Sequence, residues 1–149
     1  MVTWSSLNAQ QVTARFVAKL AVMTSPHIPH VPQEVQATAT TLVACLCAAW
    51  CRTCDDYRPV FTALQAQHPE CRWVWVDIED EAELIGELEV ETFPTLLIGC
   101  GEQLRFIGPV LPQLANAHRL LGSIMKTAPA AAIADPAAQT LLIRLQSRR

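Results

Sequence analysis

Apolar side chains fall along this chain in two rhythms, one of strands and one of helices. Thr41-Leu42-Val43-Ala44-Cys45-Leu46-Cys47 is a continuous apolar run, the pattern of a strand buried on both faces. Between Cys51 and His68 the apolar positions Tyr57, Val60, Phe61 and Leu64 recur at helical spacing, which predicts a helix ending at Pro69 and bent at Pro59. The segment from Arg72 to Ile78 is rich in β-formers and sets Trp73 and Trp75 on one side of the pleat. It reads as a second strand, parallel to the first where the helix between them is a right-handed crossover. Residues 79 to 88 are acidic and helix-favouring, and Asp80 followed by Glu83 has the spacing of a capping box with Asp as the cap. Thr95 to Gly99 and Glu102 to Ile107 flank Cys100-Gly101 as a hairpin, and a last helix is expected over about 111–126. The order strand, helix, strand, helix, hairpin, helix predicts an α/β fold with a mixed central sheet flanked by helices.

Extensions stand on both sides of that core. Leu7, Val12, Phe16, Val17 and Leu20 predict an amphipathic helix over residues 7–22, stopped by the proline-rich Ser25 to Pro32. A short helix over 33–39 is expected next. Beyond Lys126 an Ala/Pro-rich stretch leads to residues 137–146, where Leu141, Leu142 and Leu145 suit a short docked helix whose Arg148-Arg149 tail complements its C-terminus. This part reads as an appendage. The expected organisation is an N-terminal extension, 1–33, a core domain, 34–126, and a linker with a C-terminal helix, 127–149. No internal repeat is present.

Composition narrows the functions open to such a domain. With 51% apolar residues the chain can fill a core without disulfide or metal, since a domain of this length buries roughly 68–70% of its unfolded surface. The net charge is −3 and the 11 Lys and Arg are scattered, so there is no electrostatic footprint for nucleic acid. No apolar run reaches the roughly 18–20 residues that cross a bilayer, and Leu20-Ala21-Val22-Met23 is too short for a signal peptide. Residues 1–33 hold no acidic side chain and only Arg15 and Lys19 as charges. That bias resembles a transit segment with too little arginine, and a start at Met23 is the alternative. A cytoplasmic protein is expected.

The six cysteines therefore call for a chemical explanation, and without a secretory signal they favour a reducing compartment over a disulfide scaffold. Cys51-Arg52-Thr53-Cys54 follows a buried strand and the short Ala48-Ala49-Trp50 loop, at the start of a helix. A thiol there faces unpaired N–H groups and the positive end of the peptide dipole, both of which favour thiolate. Cys51 is the expected nucleophile and Cys54, one turn deeper, the thiol that resolves a mixed disulfide. Two competing readings are inert core cysteines and half of a zinc site. Zinc wants four ligands, and Cys45 and Cys47 share one face of their strand without obvious direction toward the helix start. Cys45 and Cys47 read as small core hydrophobes, with exchange against Cys54 as the sharper alternative. Cys71 and Cys100 are expected to be exposed bystanders. His27, His30, His68 and His118 do not cluster with the cysteines, so no metal is expected, and the acidic run from Glu79 to Glu91 reads as a solvated face.

Trp50-Cys51-x-x-Cys54, Pro59 inside the following helix, Phe93-Pro94-Thr95, and the glycines Gly101 and Gly108 together resemble the thioredoxin family over residues 34–126. The resemblance implies that fold, a cis Phe93–Pro94 bond opposite the dithiol, and a protein thiol-disulfide oxidoreductase. Trp50, Phe93 and Pro94 would meet the substrate, with the Phe93 backbone pairing to an extended strand. Arg52 and Thr53, between the cysteines, would tune the thiol, Arg52 as a cation favouring thiolate. No bound cofactor is implied; electrons would come from a flavin-containing, NADPH-dependent reductase or from glutathione.

The chain also departs from that pattern. Cys45 stands where the family carries a buried aspartate, Trp75 where it carries a lysine, and Cys47 where it carries an aromatic. Deprotonation of Cys54 would then rely on water, Asp55 or Cys45, and general-base help of this kind is typically worth about 10²–10⁴-fold. The rival expectation is a thioredoxin-fold binding or chaperone module with a weak or vestigial dithiol.

Overall fold

Strand β1, Thr41–Cys47, is buried along its whole length because its neighbours on both edges and both faces are protein. It pairs in parallel with β2, Arg72–Asp77, and antiparallel with β3, Thr95–Cys100, which pairs antiparallel with β4, Gln103–Pro109. The sheet order is β2-β1-β3-β4, a mixed sheet, in a computed structural model that describes residues 40–127 and 133–148. The helix expected over 7–22, the proline-rich linker and the short helix over 33–39 lie outside the described residues.

The alternation of β1 divides the core in two. Leu42, Ala44 and Leu46 point to one face with Val76, Leu97 and Leu104. Val43, Cys45 and Cys47 point to the other with Leu96 and Ile98. Helices α1, Arg52–Gln67, and α3, Leu114–Lys126, cover this second face through Tyr57, Phe61 and Leu121. Trp73 and Trp75 do lie on one side of the pleat, each edge-on to Phe61 at 5.1 and 5.4 Å between ring centres. Helix α1 carries Pro59 in its interior, and α3 starts three residues later than the periodicity suggests.

The acidic stretch forms only one turn, α2, Ala82–Ile85. The capping box is not made: Glu81 is the N-cap and no side chain caps it. Asp77, the last residue of β2, instead accepts the backbone N–H of Glu79 at 3.0 Å and of Asp80 at 3.4 Å, so the chain turns before a helix begins.

The expected appendage is part of the core. Helix α4, Pro136–Ser147, buries Ala138, Leu141, Leu142 and Leu145 completely against the face lined by Leu42, Ala44 and Leu46. It starts where Asp135 accepts the Ala138 N–H at 2.9 Å and Pro136 occupies the first turn, both favourable local signals. Gln139 ties it to the β3–β4 hairpin, accepting from Leu104 N–H at 3.2 Å and donating to Glu102 O at 2.7 Å. Arg144 donates to Leu84 O at 3.0 Å and Glu83 O at 3.2 Å, anchoring α2. No helix among the described residues is long and apolar enough to cross a membrane.

Candidate functional site

The end of β1 and the start of α1 meet at the Cys51-Arg52-Thr53-Cys54 segment. Cys51 is the N-cap of α1, with extended backbone angles and a thiol that makes no capping hydrogen bond. Its N–H donates to Ala48 O at 3.0 Å, closing the loop, and its carbonyl accepts from Cys54 N–H at 3.0 Å and Asp55 N–H at 3.2 Å, opening the helix. Cys51 is 9% exposed and Cys54 2%, so both are buried and Cys51 is the less deeply enclosed of the two. Arg52 and Thr53 lie exposed on the first turn.

Behind the pair the structure places two more thiols. Cys47 is hydrogen-bonded to Cys45, Sγ to Sγ 3.5 Å, and to Cys54, which is also hydrogen-bonded to Cys51. Cys47 is thus directed toward the helix start, contrary to the expectation from sequence. The inward alternation of β1 faces α1, and Cys47 is its last position. Burial, followed by the hydrogen bonds to Cys47 and Cys51, pushes the Cys54 thiol well above its ordinary range. The hydrogen bond to Cys45, then burial, does the same to Cys47. The thiol neighbours of Cys54 are Cys47 and Cys51, while Asp55 is exposed. Tyr57 is fully buried beside them, and its hydroxyl has no hydrogen-bond partner among the described residues.

A second group frames the exposed side. Trp50 is 65% exposed and stands edge-on to Phe93, ring centres 5.7 Å apart at 88°. Its indole N–H donates to Glu79 Oε1 at 2.8 Å. The Phe93–Pro94 peptide is cis, Pro94 is buried, and its carbonyl accepts from Val110 N–H at 3.0 Å. The structure therefore brings Trp50 and Phe93 together across 43 residues of sequence. Sequence reasoning missed Glu79, assigning it to a solvated face. The available signal was Asp77 at a strand end, two residues before a carboxylate.

The family model for thioredoxin matches residues 29–116. The chain belongs to the thioredoxin family. It is 31% identical over 65 residues to Thioredoxin H5 of Oryza sativa subsp. japonica, covering 44% of this chain and 48% of that one. It is 33% identical over 64 residues to the mitochondrial Thioredoxin-3 of Saccharomyces cerevisiae, covering 43% and 49%. The chain thus spans about half the length of these relatives. A solved poplar thioredoxin h shares the fold, with a TM-score of 0.54, 18% identity, and coverage of 60% of this chain and 80% of that one.

Against the thioredoxin pattern, the departures lie side by side. Cys45 and Trp75 are register partners on β1 and β2, and the Arg58 guanidinium stacks 4.2 Å from the Trp75 ring centre. Two thiols expected at the surface are not there. Cys71 is 7% exposed, tucked under α3 with its thiol 3.9 Å from Met125 Sδ, and burial pushes it up to about 11. A strand start beneath a packed helix is interior, which linear position does not reveal. Cys100 is half-buried, its sulfur 3.6 Å from Thr41 Oγ1. His68 and His118, 50 residues apart, pair at 3.2 Å between α1 and α3, with Glu70 3.0 Å from the other His68 nitrogen. Among the described residues no group of three or more His, Cys, Asp or Glu is arranged to hold a metal ion.

Proposed function

We propose that this thioredoxin-family protein is a protein thiol-disulfide oxidoreductase working through Cys51 and Cys54. The observation that carries the reading is the hydrogen-bonded Cys51–Cys54 pair at the N-terminus of α1, with Cys51 the less deeply buried of the two. Cys51, the N-cap of α1, is the nucleophile. It attacks one sulfur of a substrate disulfide and the other leaves as a thiol. Cys54 then gives up its proton and attacks the Cys51 sulfur, which forms the Cys51–Cys54 disulfide and releases the second substrate thiol.

The raised Cys54 thiol stays protonated until that second step, which keeps it from competing as the first nucleophile. Trp50 and Phe93 are the substrate-contacting surface in this reading, with the buried Pro94 holding the Phe93 backbone, and Arg52 and Thr53 tune Cys51. The oxidised pair returns to dithiol at the expense of a flavin-containing, NADPH-dependent reductase or glutathione. Six free thiols suit the reducing poise of the cytoplasm.

Reduction of a small disulfide-linked protein by dithiothreitol tests the reading. The wild type is expected to accelerate it, Cys51→Ser to lose the acceleration, and Cys54→Ser to accumulate a mixed disulfide visible by mass. Acceleration that persists in Cys51→Ser overturns the enzymatic reading and leaves a binding or chaperone module.

A further inference from the structure

Cys47 is a nucleophilic group to which the two-thiol cycle gives no task. It is 1% exposed, at the last position of β1, and its thiol is hydrogen-bonded to Cys45 at 3.5 Å and to Cys54. Cys54 is hydrogen-bonded in turn to Cys51. Four sulfurs thus run as a chain, 45 to 47 to 54 to 51, through one apolar cluster. An independent feature marks the same spot: the buried, unpartnered Tyr57 hydroxyl, close enough to Cys45 and Cys47 to feel their charge.

We propose that Cys47 is a third redox thiol, which attacks the Cys54 sulfur of the Cys51–Cys54 disulfide, forms a Cys47–Cys54 disulfide and releases Cys51. The step rests on the dithiol reading for its starting disulfide. One S–S bond forms and one breaks, the proton lost by Cys47 ends on Cys51, and no outside oxidant or reductant is consumed. Exchange requires only that a thiolate reach the sulfur under attack, and contact between the two side chains supplies the proximity that a bimolecular reaction lacks.

Cys45 serves the arrangement as a neighbour. Two positions apart on an extended strand, its Cα stands about 6.5–7 Å from that of Cys47, at the upper limit for a disulfide. The Tyr57 O–H, which burial holds protonated, lies in the same apolar cluster with no hydrogen-bond partner among the described residues. The hydrogen bond to Cys45, then burial, also holds Cys47 as a neutral thiol, so the exchange is slow near neutrality and accelerates with pH. Its product has a distinct chemistry. Cys51 is free to attack, but Cys54 is no longer free to resolve, so the site passes from a dithiol to a monothiol.

Oxidation of Cys51→Ser with diamide, which accepts two electrons and two protons from a pair of thiols, tests the step apart from turnover. Cleavage after Arg52 separates Cys45 and Cys47 from Cys54 and Cys71, so peptide mass and fragmentation identify the sulfurs joined. The expected result is a Cys47–Cys54 link within one chain. Cys47 recovered fully alkylated overturns the proposal, whatever the reductase assay shows. Wild-type protein supplies the second arm without relying on the variant's folding: after oxidation a fraction is expected with Cys51 alkylated and Cys47 linked to Cys54, growing as pH rises. A disulfide confined to Cys51–Cys54 at every pH overturns it.

Discussion

Two thiols three residues apart differ here because one belongs to the N-cap residue of a helix and the other lies deeper in the core. Burial holds Cys54 protonated well above the ordinary thiol range, and its neighbours are sulfur atoms where thioredoxins carry a carboxylate. In the proposed dithiol cycle, resolution of a mixed disulfide is therefore expected to be limited by deprotonation of Cys54. Its rate is expected to rise tenfold per pH unit between pH 7 and 9, because the thiolate fraction grows in that proportion below the raised pKa. Single-turnover release of the second substrate thiol measures this, and a flat profile would show that another group takes the proton. The WCxxC spacing and the helix start were legible without coordinates, since both depend on local sequence. The Trp50–Glu79 hydrogen bond was not, because it joins two loops that only the parallel pairing of β1 and β2 brings together.

Helix α4 shows the same division among elements. Its apolar spacing and its Asp135-Pro136 start mark a helix from sequence, but three leucines alone do not say what they cover. In the fold they fill the face of the sheet opposite the dithiol, and Leu142 packs so closely on Gly99 that a Cβ there would come within 2.4 Å of its Cδ1. Leu142→Ala is expected to cost about 2–5 kcal/mol, the range for a fully buried leucine. Chemical denaturation checks it, and a loss under about 0.5 kcal/mol, the surface range, would return α4 to the status of an appendage. Because Leu142 belongs to the cluster on the other face, the ratio of activity to folded protein is expected to stay unchanged.

For the whole molecule, the buried thiols make stability depend on alkaline pH. An unfolded Cys71 ionises near 9.0, whereas the folded one keeps its proton to about 11. The unfolded chain releases its proton first, so the stabilisation is full below pH 9 and is lost as pH rises to about 11. Under a non-thiol reductant Tm is expected to decline across that window, and less steeply in Cys71→Ala; an equal decline in that variant would remove Cys71 as the cause. By itself the sequence determined the periodic strands and helices of the core, the helix that begins at a thiol, the net charge of −3 and the likeness to thioredoxins, because each of these is written in the residues themselves. Only the tertiary structure decided that Cys71 is interior, that α4 completes the core and that Cys47 stands behind Cys54. Those facts depend on which faces meet across the sheet, and a side chain's depth and partners follow from long-range packing that no local spacing encodes.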